Sequence, residues 1–445
     1  MYKKFVQAIT WNSINIFLYK VILLSHQITL FHFVPKALYG TAGSIFSMIY
    51  LLVGITGFGF DYMLYSFFSN YKQTKKHFIE LVPQYIVRCC TIAFIAISLC
   101  LLFYSNSHNC YIQFFTNHIP SALFPYLLLI FISESLKKSL ETLAQLSFLN
   151  KQVAKIQVSM VAIYALLVWC LYFITQQITL TTIFIPMIII SYAELFLTSF
   201  ILYQFYQRIP AKTSTPLPNI YKTAIMKEQS YNYINQVAKT LFSPNFLFVF
   251  IAYNLGMSQA GSIRFFTNII TLLYMVFNRS VGVPTGALFS NIAQESFSKT
   301  RQLFLKITNF YIQVLYILAI SITAILIPHL QNKTILPHVF LFIAIGFIEY
   351  ITLTYEKLFI VRKASNILAC INISSLILLW ICLHVSILYI NPQLILLPIL
   401  CIRICSTLCI GYVTYKKWSI FPQLRITGQT CMLSTIIALL IMYFL

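Results

Sequence analysis

Residues 156–175 read IQVSMVAIYALLVWCLYFIT, a run of twenty residues without a charged side chain. An α-helix rises about 1.5 Å per residue, so this run would be about 30 Å long, which matches the hydrocarbon layer of a bilayer. The run does not alternate between polar and apolar residues as the strand of a membrane barrel does. It therefore predicts a helix that crosses a membrane.

Further apolar runs of about this length follow along the chain. They cover residues 11–34, 42–64, 82–104, 119–140, 178–205, 234–255, 263–288, 307–327, 335–354, 367–390, 394–415 and 426–445. Hydrophobic residues make up 59% of the chain and charged residues only 9%, whereas soluble domains have about 25% charged residues. The sequence predicts an all-α polytopic membrane protein with 12 to 13 transmembrane helices.

The loops between these runs are alternately rich and poor in positive charge. With the N-terminus inside, 22 of the 30 lysines and arginines fall in inward loops, two in outward loops and six within the runs. Lysine and arginine are retained on the cytoplasmic side of short loops, so the pattern predicts a cytoplasmic N-terminus. The formal charge of +21 then reflects topology and contact with anionic membrane lipids, and no nucleic-acid partner is predicted.

Two short motifs recur at an offset close to half the chain length. Trp11-Asn-Ser-Ile-Asn15 returns as Tyr231-Asn-Tyr-Ile-Asn235, and Ala42-Gly-Ser-Ile45 returns as Ala260-Gly-Ser-Ile263. Each half holds six runs, and an even number of spans means that both halves enter the membrane from the same side. The repeat predicts two parallel six-helix lobes around a central cavity that opens alternately to the two sides.

The repeat also predicts the domain boundaries. The N-terminal lobe is expected over residues 1–206 and the C-terminal lobe over residues 230–415, with a proline-containing cytoplasmic linker at residues 207–229. Residues 416–445 hold a basic loop and the thirteenth run, which is interpreted either as an extra helix or as a segment along the surface.

Basic residues inside the runs are candidates for substrate binding. Lys20 lies nine residues after Trp11, about 13 Å along a helix and near mid-membrane, and Lys239 is its counterpart at an offset of 219. An ammonium at this depth is costly, so it faces a partner or a watery pathway. Arg264 and Arg279 add guanidiniums whose planar forks suit phosphate oxygens. This positive surplus favours an anionic substrate.

Only nine acidic residues are present, and three of them are candidates for coupling or gating. Asp61 ends the second run after Gly57-Phe-Gly-Phe60, where the glycines permit close helix packing or a bend. Glu194 and Glu349 lie within the sixth and tenth runs, where a carboxylate can bind a proton or an ion.

Two further pairs of charges are expected to be structural. Glu134 with Lys138, and Lys137 with Glu141, have the i,i+4 spacing of ion pairs within one helix. The cysteines form no CxxC pair or Cys/His cluster, so no metal site is predicted. No GxxxxGK[ST] motif occurs, so the chain is not expected to hydrolyse ATP. No catalytic residue and no cofactor are predicted.

The opening helix, the Tyr39-Gly40 turn before Gly43-Ser44, and the stretch around Asp61 followed by a basic loop resemble one known group. They are similar to the bacterial polysaccharide flippases, the O-antigen and capsule repeat-unit translocases of the multidrug/oligosaccharidyl-lipid/polysaccharide exporter (MOP) superfamily. The resemblance implies a bacterial inner-membrane protein that moves undecaprenyl-pyrophosphate-linked oligosaccharides by alternating access. It also implies a cationic cavity for the pyrophosphate and a polysaccharide polymerase as a partner.

Other functions are left open by the residues. A multidrug or metabolite exporter of the same superfamily would share the fold, but cationic substrates would prefer acidic residues in the cavity. A lipid II flippase would carry more cavity arginines. A membrane polymerase or glycosyltransferase would need a large outward loop, and the longest one, residues 105–118, has fourteen residues without a carboxylate. A purely structural scaffold would not explain the matched lysines Lys20 and Lys239.

Overall fold

A computed structural model describes residues 2–57, 59–60, 64, 75–104, 123–209, 219–243, 336–389 and 396–420, with isolated positions between 245 and 305. These residues form helices, and no strand occurs among them. In chain order the helices are α1 (Tyr2–Phe33), α2 (Lys36–Ile55), α3 (Lys75–Ile79), α4 (Val82–Tyr104), α5 (Phe124–Leu146), α6 (Asn150–Thr175), α7 (Leu180–Arg208), α8 (Asn219–Leu241), α9 (Leu336–Val361), α10 (Ser365–Tyr389) and α11 (Leu397–Trp418).

Six segments within the described residues are long and apolar enough to cross a membrane. They are Ile14–Phe33, Lys36–Ile55, Asn150–Thr175, Leu180–Arg208, Ser365–Cys382 and Leu397–Trp418. Large apolar side chains on their outer faces are widely exposed, as at Ile174 (78%) and Phe196 (70%). Such faces are stable against lipid tails, which are as apolar as the side chains. The prediction of a multi-pass helical membrane protein is confirmed.

Helix α5 is different, because its inner half carries Glu134, Lys137, Lys138 and Glu141. Its outer half instead belongs to an apolar core formed with α2, α4 and α7. The core residues are Ala42, Ile45, Ile49, Val53, Ile92, Ala96, Leu123, Leu127, Ile130, Phe131, Leu180, Ile183 and Phe184. The surrounding helices thus shield α5, which explains how a helix with four charges occupies a membrane-embedded position.

The chain divides into two compact units, residues 1–261 and 262–445. In the first unit α5 packs along α7, α6 also packs on α7, and α1 packs along α6. In the second unit α9 and α10 both pack on α11. By order of the predicted spans, α5 and α9 are the fourth of their halves and α7 and α11 are the sixth. The same pairs of helices therefore pack together within each unit.

Helix α8 extends the predicted seventh span towards the linker and packs on α2 within the first unit. Since α7 ends at Arg208 and α8 begins at Asn219, part of the expected linker is helical. Helix formation needs satisfied backbone groups and not an apolar sequence, so a helix can continue past the lipid. The predicted lobe boundary at residues 207–229 stays a prediction.

The contact between α2 and α8 depends on glycine. Gln236 donates from Nε2 to the carbonyl oxygen of Gly54 at 2.6 Å, and its Oε1 accepts from the Gly59 N–H at 3.2 Å. Gly59 has φ +68°, which only glycine adopts without cost. A Cβ on Gly57 would lie 2.6 Å from Cδ of Gln236. The sequence predicted close helix packing or a bend at these glycines, and the close packing is confirmed at Gly57 and Gly59.

Replacing Gly57 by alanine is expected to destabilise the protein by about 1–3 kcal/mol, because the new methyl group forces Gln236 out of its two buried hydrogen bonds. Thermal unfolding of the purified protein in detergent measures the loss. In a Gln236→Ala background the methyl group has room, so Gly57→Ala should then be nearly neutral. Equal losses in the two backgrounds would show that Gln236 is not the clashing partner.

Candidate functional site

The charged half of α5 forms an ion-pair network with α7. Lys137 Nζ lies 2.5 Å from Oε1 of Glu134 and 2.5 Å from Oε2 of Glu194. Ser191 Oγ donates a hydrogen bond of 2.8 Å to the same oxygen of Glu134. We call these four residues the α5–α7 charge cluster. The cluster links α5 to α7, since Lys137 and Glu194 are 57 positions apart in the chain.

The helical repeat explains how the cluster assembles. Glu134 and Lys137 are three residues apart on α5, and Ser191 and Glu194 are three residues apart on α7, so each pair lies on one helix face. The charged side chains are 11% exposed or less. Two carboxylates share one ammonium, so with all three groups ionised the cluster has a formal charge of −1. A buried excess charge of this kind is a place where a proton or a small cation can bind.

Polar contacts continue from α5 to α6 and α1. Glu141 accepts a hydrogen bond of 3.0 Å from Nε2 of Gln157, and Oε1 of Gln157 accepts one of 2.8 Å from Nδ2 of Asn15. Asn15 closes the first copy of the repeated motif, and its counterpart Asn235 is also buried. The repeated asparagines therefore lie inside the helix packing of the first unit.

The second unit has a related arrangement between α9 and α11. Glu349 forms an ion pair with Arg403, whose side chain is fully buried. Thr352 and Thr407 share a hydrogen bond of 2.7 Å between their hydroxyl groups. Arg403 is one of the six basic residues that fall within the apolar runs, and the structure provides its partner.

These two sets of contacts occupy corresponding places in the internal repeat. Glu134 and Glu349 are separated by 215 positions, as are Lys137 and Thr352. On α11, Arg403 follows Ser191 by 212 positions and Thr407 follows Glu194 by 213 positions. Both units have a glutamate on the fourth helix, Glu134 or Glu349, but the charged residues around this glutamate differ between the units. As a result, the first unit has the net negative cluster, whereas Glu349 and Arg403 balance each other.

The predicted site residues have different outcomes. Glu194 and Glu349 each lie in an ion pair, with Lys137 and Arg403 respectively. Lys20 on α1 and Lys239 on α8 are half-buried, and Lys20 Nζ lies 5.8 Å from the centre of the Tyr19 ring.

For three other residues, predicted to bind substrate or to act in gating, the described part of the structure does not test the prediction. Arg264 is half-buried in the second unit, and Arg279 and Asp61 lie outside the described residues. The structure does not bring the predicted substrate-binding residues together as one described group, so their shared role stays a prediction.

The expected pair of Lys137 with Glu141 is wrong. Lys137 contacts Glu134 and Glu194 instead, and Glu141 accepts from Gln157. The intrahelical spacing allowed either glutamate, and the carboxylate of Glu194 on α7 draws Lys137 towards the helix interface. Glu134 and Glu141 are seven residues apart, and Glu349 and Glu356 repeat this spacing, a signal that could have marked these positions but was not used in the sequence prediction.

Among the described residues, no group of three histidine, cysteine, aspartate or glutamate side chains could hold a metal ion. This finding concerns a cluster of protein ligands and leaves open the binding of a single proton or cation beside one carboxylate.

Comparison with known proteins identifies the fold. The sequence matches no protein-family profile and no curated protein, but its structure matches solved transporters over nearly the whole chain. A MATE transporter of Vibrio cholerae gives a TM-score of 0.64, with 12% identity over 95% of this chain and 97% of that one. The chain has the MATE transporter fold. MATE transporters have two lobes of six helices, so the predicted fold class is confirmed.

Two further structures agree with the MATE assignment. A multidrug resistance MATE family transporter of the MOP superfamily, in an outward-facing conformation, gives a TM-score of 0.63 with 11% identity over 93% of this chain and 96% of that one. A MOP superfamily transporter from Pyrococcus furiosus gives 0.61 with 11% identity over the same shares. MATE transporters are not enzymes, which agrees with the expectation that this chain carries no catalytic site.

Removing the ammonium of the α5–α7 charge cluster tests its structural importance in this MATE fold. Lys137→Met leaves Glu134 and Glu194 buried beside each other without a cation, and breaking a buried pair in this way costs about 3–5 kcal/mol. Lys155→Met is the matched control, since Lys155 is an exposed lysine on α6 outside the cluster. Thermal unfolding in detergent should show a large loss for the first variant and a small one for the second. Equal losses would mean that Lys137 does not hold the two carboxylates.

Proposed function

We propose that this protein is an alternating-access transporter for lipid-linked anionic oligosaccharides in a bacterial inner membrane, with its N-terminus in the cytoplasm. The substrate class is an undecaprenyl-pyrophosphate-linked repeat unit, as the resemblance to polysaccharide flippases implies. The MATE fold supports a transporter, and the positive-inside pattern of the loops supports the orientation. A polysaccharide polymerase is the proposed partner on the outer side.

The observation that carries the proposal is the polarity of the membrane-embedded side chains. The described carboxylates Glu134, Glu194 and Glu349 are engaged by the internal cations Lys137 and Arg403. A cationic drug would need such carboxylates as its own partners. In contrast, α1 and α8 each carry a half-buried lysine, Lys20 and Lys239, at matching positions of the repeat. These side chains suit an anion.

A structural neighbour offers a precedent for a change of polarity within this fold. For the Pyrococcus furiosus transporter, a binding pocket of reverse polarity has been described and taken to suggest a different function. In the present chain six lysines and arginines fall within the apolar runs, and cations at such positions are of the kind that would produce a cationic pocket.

The proposed mechanism assigns separate tasks to the two kinds of charge. Lys20 and Lys239 bind the pyrophosphate, because a charge-assisted hydrogen bond to a phosphate oxygen is about twice as strong as a neutral one. Arg264 and Arg279 are proposed to assist them with bidentate contacts. The sugars occupy the central cavity, and the lipid tail stays in the bilayer, so that only the polar part crosses.

Coupling is proposed to use the acidic residues. The α5–α7 charge cluster has one carboxylate more than it has cations, so a proton or sodium ion bound beside Glu194 would neutralise it. Binding would weaken the attraction between Lys137 and Glu194 and so loosen α5 from α7. Glu349, whose charge Arg403 balances, is proposed to act as a gating residue together with Asp61.

The transport proposal is tested in the host by deleting the gene and measuring undecaprenyl-pyrophosphate oligosaccharides and surface polysaccharide. Deletion should cause the lipid-linked sugars to accumulate while the surface polysaccharide is lost. The wild-type gene should restore both, whereas Lys20→Ala with Lys239→Ala should restore surface polysaccharide at least tenfold less well, because two charge-assisted contacts are lost.

The matched control for this test is Lys36→Ala with Lys227→Ala, which removes two exposed lysines, one at the start of α2 and one on α8. It should complement like the wild type. Unchanged lipid-linked sugars after deletion, together with a new sensitivity to cationic toxic compounds, would overturn the proposal and favour a multidrug exporter.

Coupling is tested separately with Glu194→Gln, which leaves a neutral pair of Glu134 and Lys137. In proteoliposomes, transport of a lipid-linked oligosaccharide by this variant should no longer respond to an imposed proton or sodium gradient and should match the wild-type rate without a gradient. Glu141→Gln is the control, because Glu141 contacts Gln157 outside the cluster. A gradient response retained by Glu194→Gln would remove Glu194 from the coupling role.

A further inference from the structure

A basic cavity lies within the second unit, away from the residues proposed for transport. The described residues that line it are Arg301, Arg362, Lys417, Trp418 and Ser419. They come from three separate loop regions that follow the eighth, tenth and twelfth predicted spans. All three regions are predicted to be cytoplasmic by the distribution of lysine and arginine. The loops that the sequence places on one side of the membrane thus converge on one cavity.

The charge of the cavity is its most informative property. Its described lining includes two guanidiniums and one ammonium, and none of the lining residues that the structure describes is an aspartate or glutamate. Like charges gathered in one place repel each other, and the repulsion grows where water is partly excluded. Burial lowers the pKa of Arg362, which shows that this guanidinium has lost part of its hydration. An anion in the cavity would relieve both effects.

A simpler interpretation covers part of this arrangement. Lys417 lies in the last turn of α11, and Arg362 follows directly after α9, so both oppose the partial negative charge of a helix C-terminus. That interpretation does not explain Arg301, which follows neither helix. Nor does it explain why the cations share one cavity. Two helix C-termini amount to about one elementary negative charge in total, which three cations exceed.

The wall of the cavity is aromatic. The ring of Trp418 packs edge-on against Phe359 with 4.8 Å between the ring centres, and Lys417 Nζ lies 5.6 Å from the centre of the Trp418 ring. Tryptophan is enriched at the level of lipid headgroups, where its ring meets the apolar layer and its N–H meets water. A cavity lined by three cations and an indole suits a ligand that carries a phosphate on an apolar body.

We propose that this cavity binds the phosphate group of an anionic lipid of the cytoplasmic leaflet. Arg301 and Arg362 contact the phosphate oxygens, since guanidinium forks match them in a bidentate manner. Lys417 contributes charge, and Trp418 packs against the glycerol part of the lipid. Basic pockets between membrane helices on the cytoplasmic side bind anionic headgroups in this way. The site does not depend on the proposed transport function.

The test measures lipid retention by the full-length protein in detergent, using native mass spectrometry with added phosphatidylglycerol or phosphatidylcholine. The wild type should retain phosphatidylglycerol in preference to phosphatidylcholine. Arg301→Gln, Arg362→Gln and Lys417→Gln together should weaken that retention by about fivefold for each cation removed. Arg362 is half-buried, so its replacement puts the folding of the triple variant at risk. The double variant Arg301→Gln with Lys417→Gln changes only exposed positions and tests the same site without that risk.

The matched control removes three exposed lysines outside the cavity, Lys155→Gln, Lys227→Gln and Lys416→Gln, of which Lys416 is next to Lys417 in sequence. It should bind like the wild type. Inorganic pyrophosphate is added as a competitor. If pyrophosphate displaces the lipid only at high concentration, the natural ligand of the cavity is the phosphate of a lipid. If pyrophosphate itself binds tightly, the natural ligand is a free phosphate anion. Equal losses in cavity and control variants, or no preference for phosphatidylglycerol with no pyrophosphate binding, would overturn the proposal.

Discussion

An ionised side chain in the hydrocarbon layer is costly unless another charge or polar group meets it, and the described helices are arranged around this constraint. Lys137 meets two carboxylates, and Arg403 meets Glu349. In both units the pairs lie between the fourth and sixth helices. Those helices must therefore pack against each other closely, and the neighbouring helices shield the charges from lipid. The positions of the buried charges in the sequence thus determine which helices pack against each other in each unit.

Much of the fold follows from the sequence, because a membrane removes most alternatives. A run of about twenty apolar residues has to be a helix that satisfies its own backbone, so the spans that include α6 and α10 were predictable. Helix ends were not, because nothing in the hydrophobic pattern marks where a helix stops outside the lipid. Thus α1 begins at Tyr2 and α8 at Asn219, nine and fifteen residues before the apolar runs. The close approach at Gly57 was predictable, but its partner Gln236 was not.

The candidate site was predictable only in part, for a physical reason. Spacing along one helix reveals which charges can pair locally, and so Glu134 and Lys137 were recognised as members of ion pairs. The contact of Lys137 with the distant residue Glu194 depends on how α5 and α7 pack. It replaces the predicted contact with Glu141, because it brings a second carboxylate to a buried ammonium. The internal repeat contains part of the missing information, because Glu349 follows Glu134 by 215 positions, close to the offsets of 218 and 220 of the two repeated motifs. It marks Glu134 and Glu349 as equivalent, although only the structure shows that their partners differ in charge.

The hydrogen bonds of Gln236 to Gly54 and Gly59 have a consequence for the covalent chain. They attach α8, the first helix of the second half, to the first half by noncovalent contacts that do not require the connection between α7 and α8. A polypeptide divided between these two helices would still present matching surfaces on its two fragments. The peptide connection between α7 and α8 is therefore one of two kinds of link that hold α8 to the helices before it.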